Sequence, residues 1–197
     1  AQAIASLAYI QKVNKIVGPG NIYVTSAKKE VFGDVGIEGM IAGPSEITVV
    51  ADNKTNLNQI VTSIIGQAEH DANSQCILIT KHKNLIDKFK KIFQTKFSHL
   101  PRKNIILKSL KNNGLIVYVK SDKQIIDVIN EIAPEHLELN VTNSKKYLNK
   151  IYNSASICIG KYSPMAATDY NVGTNHVLPT FGSAKFSSGL NLNEFYK

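Results

Sequence analysis

The chain has 197 residues, 43% of them hydrophobic, enough for a sizeable core in one or two compact domains. No apolar run approaches the roughly 20 residues a membrane helix needs, and the start, AQAIASLAYI, lacks the basic region of a secretory signal. The formal charge of +8 raises nucleic acid as a partner, but the basic residues are almost all lysines scattered over predicted helix faces, and Arg102 is the only arginine; with no lysine stripe and no aromatic interleaving, a solvated surface is expected, with neither nucleic acid nor membrane as partner.

In chain order, AQAIASLAYI reads as a helix entered in mid-domain, followed by a short strand KIV, the turn GPGN, a helix IYVTSAKKEVF and a strand VGI. The turn AGPSE marks a crossing into a second domain. ITVVAD is a β-branched strand, and Leu57, Ile60, Val61, Ile64, Ile65 and Ala68 then fall at helical spacing. CILIT and GLIVYV read as strands around the amphipathic helix NLIDKFKKIFQTKF, whose Leu85, Ile86, Phe89, Ile92 and Phe93 share one side. The helix SDKQIIDVINEIA, strand HLELNV, helix SKKYLNKIY and strand ASICIG complete the series. Strands alternating with helices of this length predict βαβ units, an α/β fold and a mainly parallel sheet. Cys76 and Cys158 sit inside apolar runs and read as buried thiols in a reducing cytoplasm. The last residues, LNLNEFYK, stop without a cap, so both ends are expected to be cuts in a longer protein.

Ligands of parallel sheets gather beyond the carboxyl ends of the strands, which draws attention to the polar segments around them. GPGN is neither a dinucleotide fingerprint nor a phosphate-loop motif, but its glycines allow close backbone approach and Asn21 can cap the next helix. In QAEHD, Gln67 and His70 stand three positions apart, so an amide oxygen and an imidazole can reach one cation; on these residues alone a solvated helix end carrying a histidine is the better reading. Pro134 ends a helix before PEHLEL, where His136, Glu138 and Asn140 alternate with Leu137, Leu139 and Val141 as in a half-buried strand. Glu135 and His136 can serve one site only if the chain bends at Glu135. A carboxylate beside an imidazole suits general acid–base chemistry, while a polar strand edge is the plain alternative. In YSPMAATDYNVGTNHV, Ser163-Pro164 opens a short helix that carries Asp169, and a carboxylate there can complete a metal site or cap a turn.

AQAIASLAY, KIVGPGN, GDVGIEGMIAGPSE, QAEHD, PEHLEL and TDYNVGTNHVLPTFGSAKFSSGL occur in one order, and that order resembles the histidinol dehydrogenase family over essentially all of the chain, which corresponds to its middle part. The resemblance implies two Rossmann-like βαβ domains, both incomplete in this stretch: residues 1–44 as part of the NAD-side domain, 45–190 as the domain carrying the metal and acid–base residues, and 191–197 as the start of a C-terminal segment. It implies a cytoplasmic homodimer with a shared active site, using NAD and one zinc ion per subunit, that oxidises L-histidinol through L-histidinal to L-histidine. By that resemblance Gln67, His70 and Asp169 are zinc ligands, and Ser45, Gln67, His70, His136 and Asp169 contact the substrate. Gln2 and Asn21 contact NAD, His136 takes the hydroxyl proton and Glu135 activates water. The segment between Tyr9 and Lys12 is shorter than is usual in the family. A zinc-dependent hydrolase on an α/β fold could use the same Gln67, His70, Asp169 and Glu135, and NAD binding separates the two readings.

Overall fold

The computed structural model describes residues 1–39, 43–170 and 172–196, with the side chain of Asp169 outside that description. The chain opens on α1 (Gln2–Ala5), which widens at once into a π-helical turn over Ser6–Ile10. Gln11 N–H donates to Ser6 O at 2.8 Å, and Lys12 then takes a left-handed φ of 54°. That tight reversal falls in the shortened segment. A small unit follows, made of β1 (Lys15–Ile16), α2 (Ile22–Glu30) and β2 (Gly36–Ile37), with β1 and β2 paired in parallel. Asn21 caps α2 by accepting from Tyr23 and Val24 N–H, both at 3.1 Å. Ile4, Ile16, Val31, Val35 and Ile37 form this unit's own core.

The larger unit is a five-stranded parallel sheet. Its strands are β3 (Glu46–Ala51), β4 (Gln75–Thr80), β5 (Gly114–Tyr118), β6 (His136–Asn140) and β7 (Ser156–Ile159), in the order β5-β4-β3-β6-β7. The order reverses beside β3, as in a doubly wound sheet. One face of the sheet, with Ile47, Val49, Cys76 and Leu78, packs on α3 (Leu57–Ala68), α4 (Lys83–Phe97) and α5 (Lys103–Asn113). The other face, with Val50, Ile77, Ile79, Leu137 and Leu139, packs on α6 (Asp122–Ile132) and α7 (Lys145–Leu148). Alternation along each strand distributes the apolar side chains between these two cores. Each such side chain, fully buried, stabilises the fold by about 1.5–3 kcal/mol before entropy is counted. A short helix, α8 (Met165–Tyr170), follows β7.

The helical spacing is borne out in α3, where Ile60, Val61, Ile64, Ile65 and Ala68 are all buried. It is also borne out in α4, where Leu85 and Phe89 are buried and Phe89, Phe93 and Phe97 stack in turn at 6.3 and 5.6 Å. α5 is a helix that periodicity does not announce, because in KNIILKSLKNN only Ile106 and Ser109 are buried. α6 ends at Ala133, which makes a left-handed C-cap at φ 51°, and Pro134 after it disfavours continuing the helix. β6 departs from the half-buried expectation: all five of its residues are buried, including His136, Glu138 and Asn140. Cys76 and Cys158 are both buried and not joined in a disulfide, and burial pushes the Cys76 thiol up to about 12. Among the described residues no helix is long and apolar enough to cross a membrane.

Candidate active site

A cavity of about 1050 Å³ lies between the small unit and the open side of β6. One wall is the face of α3 that carries Gln59, Ser63, Gly66, Gln67 and, in the turn just beyond, His70. Pro19, Gly20 and Gly39 of the small unit form a second wall. Glu135, His136, Glu138 and Asn140 form the floor, and Ser45 and Thr180 close one end. At the outer end stand Lys96, Lys161 and the chain's one arginine, Arg102.

Of the residues singled out in the sequence, Ser45, Gln67, His70, Glu135 and His136 line this one cavity. Gln67 is buried and His70 exposed, and α3 itself stops at Ala68, so His70 is placed by the capping turn in which its N–H reaches Gln67 O at 3.2 Å. Asp169 lies on α8, and the side chain needed to judge its part is outside the described residues. Asn21 is occupied as the cap of α2, directly after Pro19 and Gly20; Gln2 begins α1, exposed, and is not among the cavity's lining residues. The expected location at the carboxyl ends of the strands does not hold for the acid–base pair. Ser45 precedes β3 and Glu135 precedes β6, so both stand at the amino edge of the sheet.

Glu135 sits in a bend, and this bend brings its Oε1 to 3.7 Å from His136 Nε2 although the two are consecutive in sequence. Both side chains are about nine-tenths buried. Ionised, such a pair attracts strongly, since little water screens it. Two further carboxylates, missed by the sequence reading, stand beside it. Glu138 is buried and accepts from Met165 N–H (2.6 Å), Ser63 Oγ (3.0 Å) and Asn140 Nδ2 (3.1 Å). Glu46 is buried and accepts from Phe181 N–H (3.1 Å) and Glu135 N–H (3.4 Å). Burial raises the pKa of both above the ordinary carboxyl range, and the hydrogen bonds hold the rise back. A charge at the start of the apolar strand EITVV, and another inside HLELN, were the available signals for them. Behind the glycine wall Lys28 is also fully buried. Its ammonium donates to Gly18 O (2.5 Å), Glu38 O (3.0 Å) and Gly39 O (3.0 Å), and burial lowers its pKa.

The cavity thus has a carboxylate–imidazole pair on its floor, with Gln67 and His70 both lining one wall. The family model for histidinol dehydrogenase matches residues 1–197. The chain belongs to the histidinol dehydrogenase family. The histidinol dehydrogenase of Pelagibacter ubique (strain HTCC1062) is 59% identical over 199 residues, covering 99% of this chain and 46% of that protein. The crystal structure of histidinol dehydrogenase from Elizabethkingia anophelis superposes with a TM-score of 0.93 at 38% identity, over 98% of this chain and 45% of that one. A gamma-glutamyl phosphate reductase from Thermotoga maritima superposes with a TM-score of 0.53 at 11% identity, over 80% of this chain and 44% of that one, which shows a shared fold alone. The chain spans about half the length of the curated relatives it matches. The expected α/β fold with parallel sheets and the family resemblance are both borne out.

Proposed function

We propose that this chain is the central part of a cytoplasmic, NAD-dependent histidinol dehydrogenase that converts L-histidinol to L-histidine, with two NAD reduced and one water consumed. The observation that carries the proposal is the buried pairing of Glu135 and His136 on the floor of a cavity that Gln67 and His70 also line. In the first step His136 accepts the proton of the substrate hydroxyl as the carbinol carbon gives its hydride to the first NAD, leaving the aldehyde. In the second, Glu135 takes a proton from water as that water adds to the aldehyde carbon. His136, protonated in the first step, returns its proton to the former carbonyl oxygen, and the resulting diol gives hydride to the second NAD as one hydroxyl proton passes back to His136, leaving the carboxylic acid. Each proton has an acceptor within the cavity, and positioned groups of this kind contribute about 10²–10⁴-fold.

The donor chemistry fits one zinc ion. Gln67 and His70 offer an amide oxygen and an imidazole from one end of α3 on the same wall, and Asp169, on the helix that begins against Glu138, would add a carboxylate. Among the described residues no group of three His, Cys, Asp or Glu is placed to hold a metal, and the proposed set instead rests on Gln67, His70 and the family match for Asp169. When bound, zinc would hold the imidazole and amine of the substrate, with Ser45 and His136 as further contacts, an orienting task. NAD would lie on the Pro19–Gly20 side. Asn21 supports that side through the α2 cap it makes there, and Gln2 enters only by the family match. Two separate sheets with separate cores support a division between residues 1–44 and 45–190, and residues 191–197 are set apart by the family match. A homodimer with a shared site is the assembly proposed for the whole protein.

The test is made on a full-length enzyme that carries residues 1–197. His136→Asn should slow single-turnover NADH formation from histidinol by about 10²-fold or more, and Glu135→Gln should spare that step while blocking NADH formation from added histidinal. Equal losses in both steps for both variants would refute the separate roles.

A further inference from the structure

We propose that Glu46 is the positioning residue of Glu135: its carboxylate holds the Glu135 main chain beside the start of β3, where the N–H of residue 46 can anchor one oxygen of Glu135 and leave the other facing His136. The proposal rests on the reading of Glu135 as the base that activates water. β3 and β6 are adjacent and parallel, with Ile47 opposite His136, so Glu46 stands beside Glu135 where the ladder ends. There the two glutamates exchange backbone and side-chain bonds. Glu46 N–H donates to Glu135 Oε2 at 2.8 Å, and Glu135 N–H donates to Glu46 Oε2 at 3.4 Å. With Oε2 anchored on β3, Oε1 is the oxygen left toward His136 Nε2. A glutamate side chain otherwise samples many rotamers, and this anchor removes that freedom before substrate arrives.

Glu46 does a second thing with its other oxygen. Oε1 accepts from Phe181 N–H at 3.1 Å, and Phe181 holds a left-handed φ of 57° that a phenylalanine rarely adopts. Thr180, next to it, lines the cavity and accepts from Gly43 N–H at 2.7 Å. A Cβ at Gly43 would meet Phe181 Cδ2 at 2.0 Å, so these segments pack with no space to yield. One buried carboxylate thus ties the starts of β3 and β6 to the loop at the end of the cavity. Both of its oxygens are used as acceptors. An amide cannot reproduce that, because one end of it is a donor.

The experiment is Glu46→Gln in a full-length enzyme carrying residues 1–197, with Glu135→Gln in parallel. In Glu46→Gln either Glu135 N–H or Phe181 N–H faces the new NH₂ group. NADH formation from histidinal should fall about 10–100-fold, while single-turnover NADH formation from histidinol stays within about threefold. A purely structural role would lower both steps together, and that result, or no change in either, overturns the proposal. If Glu135→Gln fails to impair the histidinal step selectively, the reading of Glu135 itself is what fails. Glu46→Asp keeps the charge but is one methylene too short to span both donors. It carries the same test should Glu46→Gln not accumulate folded, and it is expected to give the same selective loss; parallel loss in both steps overturns the proposal here too.

Discussion

Lys28→Met is the sharpest perturbation of the small unit. Methionine keeps the length of the apolar stem but lacks the terminal ammonium, in a site where Lys28 is 2% exposed. The substitution removes three hydrogen bonds from an ammonium to Gly18, Glu38 and Gly39 carbonyls. These carbonyls are half-buried, so each one left unmade costs up to about 1–3 kcal/mol, less where solvent reaches it. Against this, the desolvation of the ammonium is recovered, an effect visible as the lowering of its pKa by burial. The balance is a loss of about 2–4 kcal/mol, or roughly 5–15 °C in melting temperature for a domain of this size. Function should register it on one side only. Gly18 and Gly39 carry the wall that faces the proposed nicotinamide site. Gly39 also has φ 63° and a Cβ position 2.7 Å from Val177, so this wall cannot be rebuilt by another residue. Steady-state kinetics should therefore show KM for NAD raised about 3–10-fold, with KM for histidinol changed less than twofold. An unchanged melting temperature together with an unchanged KM for NAD would refute the argument that Lys28 holds this wall.

Gly66→Ala should give opposite signs in two assays. Gly66 lies inside α3, and a Cβ there meets nothing within 4 Å, so alanine should raise stability by about 0.5–1 kcal/mol. The same methyl enters the cavity beside Gln67 and should raise KM for histidinol, and an unchanged KM would mean that this part of the cavity is not used. For Glu138 the prediction is a pH dependence. Its folded pKa is raised, chiefly by burial, so the folded state binds the proton more tightly and the contribution to stability is lost as pH rises through the folded value. Glu138→Gln should therefore gain on the wild type between about pH 4.5 and pH 7.5 in urea unfolding. Glu138→Leu, which strands Met165 N–H, Ser63 and Asn140, should lose about 2–4 kcal/mol near pH 4.5 and less at the higher pH.

The sequence speaks clearly where a local rule decides the outcome. Asn21 caps α2 because an amide oxygen suits orphan helix N–H groups, and Pro134 stops α6 for a steric reason that involves only its neighbour. The apolar face of α3 follows from periodicity. Glu46 and Lys28 are different. A buried charge is tolerable only if its partners are in place, and the partners of Glu46 lie 89 and 135 positions away. Nothing within a short window distinguishes such a glutamate from a solvated one. α5 was hidden for the opposite reason: it is so rich in lysine that its two buried residues leave almost no period to read.

The location at the amino edge follows from the winding of the sheet. The crossovers into β4 and β5 run over one face through α3, α4 and α5, and those into β6 and β7 run over the other through α6 and α7. The first face therefore has no crossover helix above β6, and this is the face on which Glu138 and Asn140 stand. After β7, α8 packs there, beginning where Met165 N–H meets Glu138. The chain beyond it reaches the start of β3, where Phe181 meets Glu46. A sheet face left bare of crossover helices needs polar residues that can be satisfied individually, and it leaves room for a ligand between α3, α8 and the small unit. The carboxyl edge, where such sheets usually bind, is instead crossed by fixed polar contacts. There Asp52 accepts from Thr142 N–H and Oγ1 at 2.6 and 2.7 Å, and Asp122 pairs with Lys81, with Lys146 at 2.6 Å and with the Tyr147 hydroxyl at 2.8 Å. Opening that edge to a ligand would require breaking several charge-assisted bonds at once, each contributing about 1.5–3 kcal/mol before solvent screening reduces it, whereas the cavity over β6 is already open.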